Sequence, residues 1–147
     1  MNLVALDAYA VVAFLADEPA RSEVEELLRA PSVMSTVNLA ESLDVLGRVH
    51  GIDETELRRL VDPLLADDAV RVEAPVGDDA WAVARFRTRY YDRSSRDLSL
   101  ADCFLLATAT RLGASVATSD PAIAETVRDE SLELVALPDR SGTRPTD

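Results

Sequence analysis

Short apolar strands alternate with amphipathic helices along this chain, and that alternation restricts the fold more than any other feature. Residues 2–6 (NLVAL), 32–35 (SVMS), 69–74 (AVRVEA), 114–118 (ASVAT) and 132–137 (LELVAL) read as strands. Between them, residues 8–16, 20–29, 36–49, 53–67, 78–90 and 99–113, and a short stretch from 121, read as helices. The boundaries carry chemical signals. Pro31 stops the second helix, Asp53 and Glu56 have capping-box spacing, Gly113 suits a C-cap, and Asp120-Pro121 opens the last helix. Strands separated by helices predict an α/β domain with a mainly parallel sheet. In such sheets, ligands bind beyond the carboxyl ends of the strands.

The length fits one domain over residues 1–137, followed by a polar, Pro- and Gly-containing tail over 138–147 that reads as flexible. A single cysteine, Cys103, and a single histidine, His50, leave no basis for a zinc finger or a Cys-His nucleophile. Cys103 is expected to pack in the core, and one unpaired thiol fits a reducing, cytoplasmic setting. No apolar run approaches the ~20 residues of a membrane span. The opening apolar stretch has no basic residues before it and is interrupted by Asp7, so it is not read as a signal peptide. The net charge of −12 argues against non-specific binding to nucleic acid. Activity on a polyanion then needs a local basic patch or a bound cation.

Four acids stand at the places where such a sheet builds its sites. Asp7 follows the first strand, Glu41 lies a turn into the helix after the second, Asp102 opens the long helix, and Asp120 follows the fourth strand. Each also suits a helix start: Asp7 and Asp120 as N-caps, Ser99 with Asp102 and Asn38 with Glu41 by capping-box spacing. Their joint placement argues for more. Two carboxylates ~4 Å apart repel by about 4 kcal/mol at an effective dielectric of 20. A cluster of four must therefore hold protons or bind a cation. Oxygen-only donors select magnesium or manganese, and the chemistry such ions favour is phosphodiester hydrolysis.

The segments LVALDAYAVVAFLADEP, STVNLAESLDVLGR, LSLADCFLLATA and VATSDPAI resemble the PIN-domain ribonucleases of the VapC toxin type, in the right order and over nearly the whole chain. The resemblance implies a PIN-like fold with a five-stranded sheet in the order 3-2-1-4-5, flanked by helices. It implies that Asp7, Glu41, Asp102 and Asp120 form a metal-binding quartet for Mg2+ or Mn2+. Thr118 matches the family's supporting hydroxyl, and Ser119 offers a second. It further implies RNA hydrolysis by metal-activated water, homodimerisation, and a small cognate antitoxin. Ala8 departs from the Ser or Thr that often follows the first acid; no metal ligand is lost by it.

Two other function classes fit an acidic α/β domain. A receiver-like phosphoacceptor needs a lysine beside its acyl phosphate, and the chain has none. A non-catalytic interaction protein would use the acidic cleft to hold a basic partner. Residues 85–96 supply the local basic patch: five arginines against Asp92, a charge of +4, with Phe86, Tyr90 and Tyr91 interleaved. Arg85, Arg89, Arg93 and Arg96 are candidates for RNA or antitoxin contact, although arginines also suit the end of a helix that begins with Asp78 and Asp79. Trp81 and Phe86 are expected in the core or a dimer contact, and Asp44 and Asp97 on the exposed surface, with a second metal site as the alternative for either acid.

Overall fold

The structure, a computed structural model, describes residues 2–66 and 68–146. Five strands, β1 (Val4–Leu6), β2 (Ser32–Ser35), β3 (Arg71–Glu73), β4 (Ser115–Thr118) and β5 (Leu134–Ala136), form one sheet in the order β3-β2-β1-β4-β5. Every pairing is parallel, with Val4 opposite Ser32 and Ser115 at the centre. The 3-2-1-4-5 order expected from the resemblance is the order found. Among the described residues seven α-helices flank the sheet: α1 (Ala8–Leu15), α2 (Arg21–Leu28), α3 (Thr36–Asp44), α4 (Glu54–Ala66), α5 (Gly77–Tyr90), α6 (Leu100–Leu112) and α7 (Pro121–Asp129).

The three central strands β1, β2 and β4 are buried along their length because both faces are covered, whereas the edge strand β3 exposes Arg71. Ala5, Val33 and Val116 pack toward Val83, Phe86, Leu105 and Leu106 of α5 and α6. Val4, Leu6, Met34 and Ala117 pack on the other face, toward Val11, Val24 and Leu137. Cys103 lies in the first of these cores, fully buried as expected. Trp81 does not join a core within the chain: it is 72% exposed on α5, whereas Phe86 is buried. Among the described residues no helix is long and apolar enough to cross a membrane.

Several boundaries depart from expectation. The helix expected over 36–49 is α-helical only to Asp44 and widens into a π-helical turn over Val45–Val49, ending at His50 before Gly51 at φ 69°. The helix expected over 53–67 runs to Ala66 with Pro63 inside it; Asp67 lies outside the described residues. Four strands are shorter than expected by one to three residues, and β2 spans the expected residues. Residues 138–146, expected as a flexible tail, make defined contacts: Arg144 pairs with Glu23 and donates to the Ala136 carbonyl, and Arg128 donates to the carbonyls of Pro145 and Thr146. Met1 and Asp147, the outer ends of the expected domain and tail, lie outside the described residues.

Candidate active site

The chain builds the sheet outward from β1 to β3 on one side and through β4 to β5 on the other. The strand order therefore reverses between β1 and β4, and the crevice beyond their carboxyl ends is where an open parallel sheet places a ligand. Asp7 and Asp120 leave those two strands side by side. Asp7, Glu41, Asp102, Ser119 and Asp120 line one cavity of about 420 Å3 at this edge. Residues from four separate stretches of sequence thus converge in one cleft.

Simple helix capping accounts for two of the four acids and fails for the others. Asp7 precedes α1 but makes no side-chain bond to it; its Oδ2 instead accepts the Thr118 hydroxyl at 2.7 Å. Glu41 is not part of a cap either. Ser35, still extended at φ −68° and ψ 151°, caps α3 by accepting the Asn38 N–H at 3.1 Å. The expected Asn38–Glu41 spacing is therefore displaced one turn, and the Asn38 amide reaches across to the Ala101 carbonyl at 3.0 Å, tying α3 to the start of α6. Asp102 does close a capping box: its Oδ2 accepts the Ser99 N–H at 2.7 Å, and Ser99 Oγ accepts the Asp102 N–H at 3.0 Å. Asp120 caps α7 through Oδ1, which accepts from Ala122 and Ile123. Each of these aspartates uses one oxygen in the fold. The other oxygen has no protein hydrogen-bond partner among the described residues.

The electrostatics follow from this convergence. Burial pushes the Asp7 carboxyl from the ordinary 3.8 up to about 7; the Thr118 hydroxyl opposes the shift, and the charges of Asp102, Asp120 and Glu41 add to it. Burial also raises Glu41, with Asp102 and Asp44 contributing. Asp102 is raised by burial against the lowering effect of its Ser99 hydrogen bonds, with Asp120 and Asp97 adding to the rise. Carboxylates that mutually disfavour ionisation are primed for a cation. Among the described residues no three acidic, histidine or cysteine side chains close on a single point as they stand. An all-oxygen cleft still suits magnesium, which keeps several waters and needs only one or two carboxylates directly.

Thr118 is fully buried and bonds two members of the cluster, donating to Asp7 and accepting the Asp120 N–H at 3.0 Å. Thr118→Val is expected to cost about 1–3 kcal/mol and to raise the Asp7 carboxyl further, because both groups lose a buried partner. Thermal melts across pH on the metal-free protein measure both effects. Ser119 lines the cavity and its side chain has no hydrogen bond among the described residues. Cys103, next to Asp102, is no nucleophile: burial pushes its thiol up to about 11.

The basic segment lies outside the cavity lining. Arg96 is only 12% exposed and paired with Glu125 and Asp129, and Arg89 reaches Glu130 at 3.4 Å. Arg85 and Arg93 are exposed and carry no ion pair among the described residues. Asp97 is exposed, and Asp44 is held bidentately by Arg48. Three features of the site and its support escaped the sequence: the Asn38 bridge between α3 and α6, and Asp139 and Arg140 in the cavity lining. A buried asparagine after a strand hints at the first; no local pattern marks the other two.

Fold and cleft together define an open parallel α/β domain with an acidic site at its switch point. Residues 4–129 match the family model described as PIN domain, and the chain belongs to that family. Comparison with curated proteins finds no match. Several solved structures share the fold. VapC20 of Mycobacterium tuberculosis, described as a sarcin-ricin loop cleaving toxin, is 18% identical with a TM-score of 0.64, over 84% of this chain and 94% of that one. FitAcB of Neisseria gonorrhoeae is 20% identical with a TM-score of 0.64, over 89% and 95%. VapBC2 of Rickettsia felis, bound to a promoter DNA fragment, is 15% identical with a TM-score of 0.65, over 90% and 97%.

Proposed function

We propose that this protein is a divalent-metal-dependent endoribonuclease of the VapC type, the toxin of a toxin–antitoxin pair. The observation that carries the proposal is the convergence of Asp7, Glu41, Asp102 and Asp120 on one cavity at the switch point. The likeness to VapC20, described as a cleaving toxin, points the same way.

In this reading Asp7, Asp102 and Asp120 hold Mg2+ or Mn2+ through their unpaired oxygens, directly or through water, and Glu41 completes the set. A divalent ion there supplies charge neutralisation on the phosphate and lowers the pKa of a water it binds. The protein's own part is orientation. Thr118 holds Asp7, and the caps of α6 and α7 hold Asp102 and Asp120, so the open oxygens are placed before substrate arrives. Glu41 has no such tether among the described residues and is free to accept a proton from the attacking water at a carboxylate oxygen. Exposed Arg85 and Arg93 are the members of the basic segment left available to RNA phosphates or to the antitoxin. A small antitoxin with a basic element complements the acidic cleft, and a homodimer acting in the cytoplasm completes the proposal.

The test is cleavage of structured and unstructured RNA by the purified chain, with Mg2+, with Mn2+, and with chelator. Cleavage is expected only with metal, and Asp102→Asn should lower it by at least roughly 100-fold. Calorimetry with Mn2+ gives the independent reading. Metal binding without cleavage of any RNA favours the interaction-protein alternative, and failure to bind metal overturns the assignment.

A further inference from the structure

Among the described residues one cationic side chain lines the acidic cavity, and it comes from the C-terminal segment. Arg140 and Asp139 border the same space as Asp7, Glu41, Asp102 and Asp120. The turn that carries them is built rather than loose. The Leu137 N–H donates to the Thr118 carbonyl at 2.9 Å, and the Tyr9 hydroxyl donates to the Pro138 carbonyl at 3.2 Å. Asp139 Oδ1 accepts the N–H groups of Ser141 and Thr143 and the Ser141 hydroxyl, closing a turn that passes Gly142 at φ 84°. Beyond it, the Arg144–Glu23 pair anchors the chain to α2.

Arg140 itself is aimed by Glu18. Its Nε donates to Glu18 Oε1 at 3.1 Å. The Glu18 side chain is only 11% exposed, and its Oε2 is buried with no hydrogen-bond partner. His50 Nε2 stands 4.0 Å from the same Oε1. Only Nε of the guanidinium is engaged, so both terminal nitrogens are unpartnered among the described residues. Those two nitrogens form the fork that binds phosphate oxygens bidentately. A polyanion entering a cleft of five carboxylates on a chain of charge −12 meets strong repulsion, and a fixed guanidinium at its wall offsets part of it.

We propose that Arg140, aimed by Glu18 and the Asp139 turn, is a positioning residue that grips an RNA phosphate at the mouth of the acidic cavity. The inference rests on the nuclease reading of that cavity. The Arg140 side chain is 60% exposed, but its removal takes a donor from the buried Glu18 carboxylate, so the melting temperature of each variant is recorded beside its binding.

The experiment uses the full chain and its Arg140→Ala and Arg140→Lys variants. Binding of a short fluorescein-labelled single-stranded RNA of mixed sequence is followed by anisotropy in Ca2+ over a range of salt, beside cleavage kinetics in Mg2+. Arg140→Ala is expected to weaken binding about tenfold. The slope of log affinity against log salt should become shallower by about 0.7, the value for one phosphate contact on a single strand. The loss should appear in KM more than in kcat, and Arg140→Lys should restore the slope but only part of the affinity, because an ammonium keeps the charge and loses the fork. Unchanged affinity and slope in Arg140→Ala overturn the phosphate contact. Tighter binding by that variant overturns it too, and makes the turn a plug. If the unmodified chain neither binds nor cleaves RNA, the nuclease reading falls first.

Discussion

Asp7→Asn should abolish metal-dependent cleavage while making the metal-free protein more stable at neutral pH. The two effects have one origin. In the native state the Asp7 carboxyl titrates near 7, against an ordinary 3.8. Below about pH 4 it is protonated whether folded or not and contributes no pH dependence. Between about pH 4 and 7 the folded chain holds a proton that the unfolded chain has released, so stability falls as pH rises through this window. Above about 7 the cost levels off near its full size, about 4 kcal/mol for a shift of this extent. An asparagine fills the same space without the charge and can still accept the Thr118 hydroxyl. At pH 8 without metal, Asp7→Asn is expected to melt roughly 10 °C higher, with a flatter pH profile between 4 and 7. In the unmodified chain, added Mg2+ should raise the melting temperature more at pH 8 than at pH 5.5, because binding must first displace that proton. A variant that melts lower at pH 8 would show that the buried charge is already compensated.

The second large effect lies far from the cleft. Asp79, near the start of α5, has a side chain only 3% exposed, and Arg111 near the end of α6 reaches both of its oxygens, at 3.1 and 3.2 Å. Arg111 also bonds Glu73 at 3.0 Å, so one guanidinium joins β3, α5 and α6. Arg111→Ala strands a buried carboxylate and is expected to cost about 3–5 kcal/mol. The double variant Arg111→Ala with Asp79→Asn should regain much of that loss, since no charge is then left unpaired. Denaturant unfolding of the four proteins in the cycle measures this. Near-additive losses would mean that the pair is held by packing and not by charge.

The alternation of strands and helices is visible in sequence because it is local: a buried strand needs a short apolar run, and a helix needs its caps. Gly113 at φ 62° and Asp120 with Pro121 are cases where one residue type answers one backbone need. The order of the strands is not local and came from the family resemblance. The four acids stand out by position relative to strand ends. Their partners do not, because Thr118 meets Asp7 across 111 positions of chain. The contacts of the C-terminal segment are illegible in sequence for the same reason. Its composition is that of a free tail, yet Arg144 finds Glu23 and Arg140 finds Glu18 more than 120 residues away. The basic segment shows the reverse: its charge is plain in sequence, but Arg96 is turned toward α7 and held there.

Each of the three aspartates spends one oxygen on a hydrogen bond to the polypeptide and leaves the other without a protein partner among the described residues. This separates folding from loading. In the nuclease reading the scaffold reaches its final shape without the ion, so a chelator should strip the site without melting the protein. A newly made chain would then exist first as a finished but idle molecule, its activity set by ambient cation concentration and not by the rate of folding.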